Sequence, residues 1–421
     1  MYYIIRTSHS HFSTFHIMDY STKTRTELVA ICKDRNIPGY SKLPKSEIIR
    51  LIQNSHSTPM LNIQNTLDNI HLLSENRETN HTGTLKMVDL FAGTGAFTYA
   101  FQKTGRVECV FANDMVESSK KIYDANFAHP LTLGDLNDIS VEDIPPHDIL
   151  TGGFPCQPFS IAGRQEGFND KRSNVFWKIL EIIERHKPKC IILENVKNLV
   201  SHDNGNTFET IQRELRQRNY TVTSKVLNTA EITGVPQHRE RIYIVCWRGG
   251  YAPPTIEREN NAILPTTHTP HHIKEGARGN LGSPPLDFSN IPKLPIRSFL
   301  EPSVPQKYYY TEASSTWNLI REHVVKPDTV YQYRRVYVRE NKSQECPTLT
   351  ANMGTGGHNV PIILDNTKIR KFTPRECFNL QGFPTSYVLP NLSDAMLYKL
   401  AGNAVSVPVV ELIANRVVEM L

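Results

Sequence analysis

The sequence predicts an α/β protein. A doubly wound sheet is followed by a smaller irregular domain, completed by a carboxyl-terminal segment, and preceded by a small helical module. Three observations carry this expectation. Short apolar runs alternate with turns and helical stretches between residues 86 and 247, the order of parallel strands joined by crossover helices. Ten of the 27 prolines then lie between Pro253 and Pro305, where that alternation stops. Regular patterning resumes near Phe372, and the chain ends on VSVPVVELIANRVVEML, an amphipathic helix preceded by the turn AGNA.

Composition bounds the function classes. The 421 residues carry 47 Lys and Arg against 42 Asp and Glu, with 39% hydrophobic and 9% aromatic residues, enough to bury a core. No apolar run approaches the roughly 18 residues of a membrane span. The opening MYYIIRTSHSHFST lacks the apolar region and cleavage site of a secretory signal, so a soluble, cytoplasmic protein is expected. Seven scattered cysteines with no CxxC pair predict neither a disulfide framework nor a metal site.

In chain order, residues 1–17 read as unstructured. Residues 18–53 read as two short helices, with apolar positions Leu28, Ile31, Cys32 and Ile48, Ile49, Ile52, joined by a turn at Pro38 and Gly39. Seven basic residues stand against four acidic ones there; on charge alone this is equally a nucleic-acid surface or a solvated cap. Residues 54–85, rich in Asn, Ser, Thr and His, read as a linker. The sheet then begins with MVDLF (87–91), the turn GTG, a helix at FTYAFQ and a second strand VECVFAND (107–114). Further strands are expected at DILTGG (148–153), CIILEN (190–195) and RIYIVCW (241–247), with a helix over Phe176 to His186.

The turn Phe91-Ala92-Gly93-Thr94-Gly95-Ala96-Phe97 joins a strand to a helix, so its backbone amides can approach a nucleotide-like ligand. Taken alone it serves equally as a structural turn. Thr98 in place of a third glycine argues against a nicotinamide cofactor. Asp114, ending the second strand, is placed to accept both hydroxyls of a ribose. Cys156 lies in GGFPCQPFS directly after a strand, on a loop fixed by glycines and prolines at the sheet edge where such folds place their chemistry. Glu194 ends the next strand at the same edge; a desolvated carboxyl there can protonate or hold a ring nitrogen. Arg239 and Arg241 alternate along an extended segment and can face one ligand. As isolated features, a charge cluster or a cysteine is more often structural.

Together, DLFAGTGAF, GGFPCQPFS, LENV, QHRERIYIV, RECFNLQGFP and AGNAVSVPV stand in the order of the DNA (cytosine-5) methyltransferases of restriction-modification systems, which residues 86–421 resemble. The resemblance implies a Rossmann-like methyltransferase domain over 86–247 and 372–421, a target recognition domain over 248–371, and S-adenosylmethionine as cofactor, with S-adenosylhomocysteine as product. It implies cofactor contacts from the turn 91–97 with Phe91 near the adenine, from Asp114 and Met115, from Asp135 and Leu136, and from Pro155, Asn403 and Ala404. Two departures stand out: Ala96 replaces the usual second glycine and Asp114 the usual glutamate. For catalysis it implies a Cys156 nucleophile, Glu194 on the cytosine ring, Arg241 on its carbonyl oxygen and Arg239 in support. Implied DNA contacts are Gln157, Ser160, Arg164 and Arg172 in a loop after the cysteine, then Arg334, Arg335, Arg339 and Thr348.

Residues 18–53 resemble SAP-like and Rho-amino-terminal-like nucleic-acid-binding modules. Double-stranded DNA is the expected partner of a monomer, with a restriction endonuclease acting on the same site without stable contact, near the nucleoid if the host is bacterial. An RNA cytosine methyltransferase, a non-catalytic DNA-binding relative and a nicotinamide dehydrogenase are the rival readings; the region 248–371, the intact Cys156, Glu194 and Arg241, and Thr98 respectively weigh against them.

Overall fold

The computed structural model describes residues 23–34, 43–49, 83–155, 175–249, 251, 291–355 and 359–421. Residues 1–17, most of 54–85, and Cys156, Gln157, Ser160, Arg164 and Arg172 lie outside the described residues. The chain divides into two compact units, Met1–Thr66 and Leu67–Leu421.

In the first unit a helix spans Arg25–Asp34 and another covers 45–49. Thr24 and Glu27 form a reciprocal cap: the Thr24 amide donates to Glu27 Oε2 at 2.6 Å and the Glu27 amide to Thr24 Oγ1 at 3.3 Å. Leu28 and Ile48 are both buried, and Arg25 Nη2 reaches the Leu43 carbonyl at 3.3 Å. The Pro38–Gly39 turn lies outside the described residues.

The second unit is built on a seven-stranded sheet. Its strands are β1 (Leu85–Leu90), β2 (Val107–Asp114), β3 (Thr132–Leu133), β4 (Ile149–Gly153), β5 (Cys190–Val196), β6 (Tyr220–Asn228) and β8 (Glu240–Arg248), in the order β3-β2-β1-β4-β5-β8-β6. Strands β1 to β5 pair in parallel with one another. Val88 and Leu90 enter a core shared with the helices Val175–His186 and Asn206–Gln217. Asp89, between them, points to the opposite face, where its carboxylate accepts from Thr98 and Thr151 hydroxyls, both at 2.8 Å.

Two expectations need correction here. The sheet is mixed, because β8 runs antiparallel to both β5 and β6. The β6–β8 connection holds only the short helix Thr229–Thr233 and the strand β7 (Gln237–His238), and so compact a return favours antiparallel pairing. Strand β6 itself was hidden: YTVTSKVLN sits at the sheet edge, half of it partly exposed, so it lacks an apolar run.

The described residues between 291 and 371 are also less irregular than expected. A helix spans Trp317–His323, and β9 (Tyr331–Tyr333), β10 (Val338–Glu340), β12 (Ile362–Asp365) and β13 (Lys368–Lys371) form an antiparallel sheet. Ile320, Val324, Tyr331, Val338, Ile362 and Ile369 make its core. Strands of three or four residues are too short to show a period. A further strand, β11 (Cys346–Pro347), pairs in parallel with β7 in a two-stranded sheet and so ties this region to the segment that leads into β8.

The carboxyl-terminal segment forms helices Pro374–Leu380, Asp394–Asn403 and Val407–Met420. The expected AGNA turn is corrected: Ala401, Gly402 and Asn403 end a helix and only Ala404 lies beyond it. The last helix packs against Ala96–Gln102, with Arg106 Nη1 donating to the Val418 carbonyl at 2.8 Å.

Candidate active site

Strand order reverses at β1 and β4, and in open α/β sheets the crevice beyond such strand ends binds ligands. A cavity of about 320 Å³ opens there, within the roughly 300–1,000 Å³ of small-molecule sites. One wall is the turn after β1. Phe91, Gly93 and Gly95 have φ of 54°, 55° and 69°, so alternate residues are left-handed and the amides between them turn outward. A Cβ at Gly95 would sit 2.3 Å from the Phe127 ring, which makes glycine obligatory. Gly95 precedes the helix Ala96–Gln102, whose first amides have no partner within the helix. The Tyr387 hydroxyl fixes the turn from behind, donating to the Thr94 carbonyl at 2.6 Å.

Asp114 borders the same cavity. Its Oδ2 accepts from the Gly93 amide at 3.0 Å and its Oδ1 from the Val116 amide at 2.8 Å. Burial raises its pKa, and these amides oppose the rise. Two bonds leave the carboxylate further lone pairs for a ligand.

The opposite wall comes from β4, β5 and β8. Glu194 is buried at the end of β5, and Arg241 Nε lies 3.1 Å from its Oε1. The contact is an ion pair, and Arg241 is the cation that faces this buried carboxylate oxygen. Burial is the largest influence on the Glu194 carboxyl and raises its pKa; Arg241 and then Arg239 pull the other way. Arg239 is fully buried, and its guanidinium bonds three carbonyls: Leu349 at 3.0 Å, Gly402 at 3.3 Å and Ala404 at 2.6 Å. Burial and then Arg241 lower its pKa to about 9, so it stays charged at neutral pH.

The structure thus brings together most of the residues singled out from sequence. Phe91 to Thr94, Ala96, Phe97, Asp114, Pro155, Glu194, Arg239, Arg241, Asn403 and Ala404 border one cavity. Gly95 shapes the turn from behind. Three expected cofactor contacts are not in its walls: Met115 is 67% exposed, Leu136 is in the hydrophobic core, and the Asp135 carboxylate caps its own turn by accepting from the Asn137 amide at 2.9 Å. Arg334, Arg339 and Thr348 border a second cavity of about 780 Å³, and Arg335 does not. Thr348 Oγ1 donates to the His238 carbonyl at 2.6 Å, beside Arg239.

Sequence reasoning missed Asn195, which is buried and bonds the Phe154 carbonyl two residues before Cys156. It also missed Lys399, one helical turn before Asn403 and in the same cavity wall. The signals were adjacency to Glu194 and a four-residue spacing that puts two side chains on one helix face.

Residues 85–419 match the family model of the C-5 cytosine-specific DNA methylases. The chain is 43% identical over 335 residues to the type II methyltransferase M.Bsp6I of Bacillus sp. (strain RFL6), covering 79% of this chain and 98% of that one. It is 33% identical over 352 residues to the type II methyltransferase M.HhaI of Haemophilus parahaemolyticus, covering 79% and 94%. The crystal structure of the S. pombe Dnmt2 methyltransferase shares the fold with a TM-score of 0.57 at 20% identity, over 80% of this chain and 98% of that one. With its glycine turn and its buried glutamate facing one crevice, the chain belongs to the C-5 cytosine-specific DNA methylase family.

Proposed function

We infer that this crevice is where the protein, an S-adenosylmethionine-dependent DNA (cytosine-5) methyltransferase of the restriction-modification type, holds cofactor and target cytosine side by side. The observation that carries the reading is the buried Glu194 carboxyl, ion-paired with Arg241, in the same cavity as Asp114 and the glycine turn.

The residues present fit the cofactor. Thr94 Oγ1 is buried in the cavity wall without a hydrogen-bond partner, and an orphaned buried hydroxyl calls for a polar ligand. Phe91 would face the adenine, Asp114 the ribose hydroxyls, and Asn403 with Ala404 the methionine end, and Pro155 would complete the contacts. Asp135 would face the adenine amino group, with Met115 and Leu136 beside it. When bound, S-adenosylmethionine supplies a methyl group activated by its positive sulfur.

The chain's own residues supply the rest. C5 of cytosine is a poor nucleophile. The Cys156 thiolate bonds to C6, the C5–C6 electron pair moves to C5, and that carbon becomes reactive. Glu194 hydrogen-bonds N3 and the exocyclic amine as charge builds on the ring, and Arg241 holds O2. Once C5 is methylated its proton leaves to water and Cys156 is expelled, restoring the ring. A base inside a duplex cannot reach such a site and is flipped out at a cost of roughly a few kcal/mol. Contacts from Gln157, Ser160, Arg164 and Arg172, and from Arg334, Arg335, Arg339 and Thr348, offset it.

In this reading 86–247 and 372–421 form the catalytic domain, 248–371 recognises the target, and 18–53 is a nucleic-acid tether on the linker 54–85. The protein works as a cytoplasmic monomer and protects sites cut by a separate endonuclease.

The test is incubation of the purified protein with mixed-sequence duplex DNA or transfer RNA and methyl-labelled S-adenosylmethionine, for wild type and Cys156→Ser. Label at C5 of cytosine in one short DNA context, lost in the variant, is expected. Label only in RNA would overturn the substrate, and label retained by Cys156→Ser the mechanism.

A further inference from the structure

Strands β7 and β11 are joined by more than their ladder. Pro347 stands opposite His238, the Thr348 hydroxyl donates to the His238 carbonyl at 2.6 Å, and the Leu349 carbonyl accepts from the Arg239 guanidinium at 3.0 Å. Residues 345–349 are thus seamed to 237–239, just before the strand that brings Arg241 to Glu194. His238 is the one histidine among the described residues that border the 780 Å³ cavity, and its side chain is half exposed. Histidine is the side chain that ordinarily gains its charge between roughly pH 5 and 8. The seam therefore holds one group able to change charge near neutral pH.

The surroundings of the ring define two states. Asn228 is buried, and its Oδ1 accepts from the Ala230 and Arg239 amides at 3.3 and 3.2 Å. That fixes its amide group, so Nδ2 is a donor, to Glu231 at 3.1 Å and to His238 Nδ1 at 3.1 Å. Nδ1 is then an acceptor, and the neutral ring carries its proton on Nε2. Protonation puts hydrogen on both nitrogens, and Nδ1 loses Asn228 as a partner. Glu345 Oε2 stands 3.7 Å from Nδ1, and Glu240 Oε2 stands 3.8 Å from Nε2. Glu345 is buried with Lys293 on its other oxygen, whereas Glu240 is partly exposed and held by Lys197 at 2.7 Å. Elsewhere on the cavity walls Glu340 is paired with Lys326 at 2.9 Å, and Arg334, Arg339 and Lys342 are cations. A bond to an ionised carboxylate is roughly twice as strong as a neutral one, so the charged ring turns to Glu345.

We propose that His238 is a positioning residue for the methylation reaction: once protonated, it moves its Nδ1 bond from Asn228 to Glu345 and draws residues 345–349 onto the segment that carries Arg239 and Arg241. This rests on the DNA methyltransferase reading above. The charged ring closes the seam that seats Thr348 and Leu349 beside Arg239. It also adds a cation to a cavity already bordered by Arg334 and Arg339, which favours a polyanion. Glu194 keeps its own ion pair with Arg241, so the effect falls on KM for DNA and not on kcat.

The experiment uses the full chain, duplex DNA carrying the site mapped as above and saturating S-adenosylmethionine, with KM for DNA and kcat measured between about pH 8 and about pH 6. Wild-type KM is expected to fall roughly two- to fivefold toward the acid end. His238→Gln, which can accept from Asn228 but never charges, is expected to lose that fall and to stay near the wild-type value of the alkaline end. His238→Lys, which keeps a cation throughout, is expected to stay near the value of the acid end. The kcat profiles of the three proteins should run parallel. In the free protein the His238 imidazole resonance, assigned by its loss in His238→Gln, should titrate at lower pH in Glu345→Gln than in the wild type. A His238→Gln protein that keeps the wild-type pH dependence of KM, or a His238 resonance with one midpoint in both backgrounds, would overturn the proposal. A wild-type protein that methylates no DNA cytosine would instead defeat the reading beneath it, while the resonance would still judge the pairing with Glu345.

Discussion

Asn195 Nδ2 donates a 2.8 Å hydrogen bond to the carbonyl of Phe154, two residues before Cys156, while its Oδ1 accepts from the Val196 amide at 2.8 Å. One side chain therefore ties the end of the strand carrying Glu194 to the start of the cysteine loop. Both Asn195 and Phe154 are buried, so water cannot replace the lost donor. Asn195→Ala is expected to cost about 1–3 kcal/mol of stability and to lower kcat on the order of tenfold or more through misplacement. Cofactor affinity should change little. Thermal denaturation, steady-state methylation and cofactor titration check this; a loss confined to cofactor affinity would contradict it.

Gly95 and Gly402 are required for different reasons. Gly95 combines φ 69° with a Cβ position 2.3 Å from Phe127, whereas Gly402 would place a Cβ 2.2 Å from the Thr350 backbone. Gly95→Ala is expected to weaken cofactor binding and stability together, by roughly 1–3 kcal/mol in stability. Gly402→Ala is expected to push the segment at Thr350 off the end of the helix Asp394–Asn403 and so to raise KM for DNA as well. Binding titrations with each ligand separate the two.

Gly402 also shows where sequence reading stops. The glycine turn after β1 was legible because a strand, two glycines and a helix are local in sequence, and Glu194 because its apolar strand ends on it. Read locally, AGNA looks like a turn. Its glycine answers instead to Thr350, some fifty residues earlier and brought near by the β7–β11 pairing. Arg239 is similar: its spacing to Arg241 pointed to a ligand, but its partners are three carbonyls from two distant segments. The hairpin core of Tyr331 and Val338 stayed hidden because its strands have three residues each.

Those three carbonyls make Arg239 a clamp between the recognition segment at Leu349 and the cavity wall at Ala404. Lysine keeps the charge but not the fork, and leaves buried carbonyls unpaired. Arg239→Lys is expected to lose on the order of 2 kcal/mol or more, against about 0.5 kcal/mol or less for the exposed Arg213→Ala. Denaturant unfolding checks the contrast, and equal losses would remove the clamp.

His147 gives the fold an acid limit. Its Nδ1 is 2.9 Å from the Pro145 carbonyl, its ring lies 5.1 Å from that of His186, and its Nε2 is buried without a partner. Burial lowers its pKa from 6.5 to about 4. The unfolded chain therefore takes up this proton first, so the contribution is complete above pH 6.5 and lost as pH falls toward 4. The loss is on the order of 2–3 kcal/mol. His147→Phe removes that proton, and its stability should fall less steeply over this window in urea unfolding at a series of pH values. Parallel curves for the two proteins would contradict the assignment.

Glu194 has the opposite sign. Burial raises its folded pKa above 4.5, and the two arginines offset this only in part. A raised carboxyl stabilises the fold in acid, and that contribution is lost as pH rises through the folded value. At neutral pH the ionised group is held at a cost, as expected of a site arranged for chemistry rather than stability. Glu194→Gln is therefore expected to match or exceed the wild type in stability at pH 8, with the difference shrinking toward pH 4.5. Methylation should fall on the order of a hundredfold or more, since the amide cannot give up a proton to the ring or carry a balancing negative charge. Unfolding free energies at both pH values, beside single-turnover methylation, decide the matter. A loss of about 3–5 kcal/mol at pH 8 would mean that the ion pair with Arg241 outweighs the cost of burial.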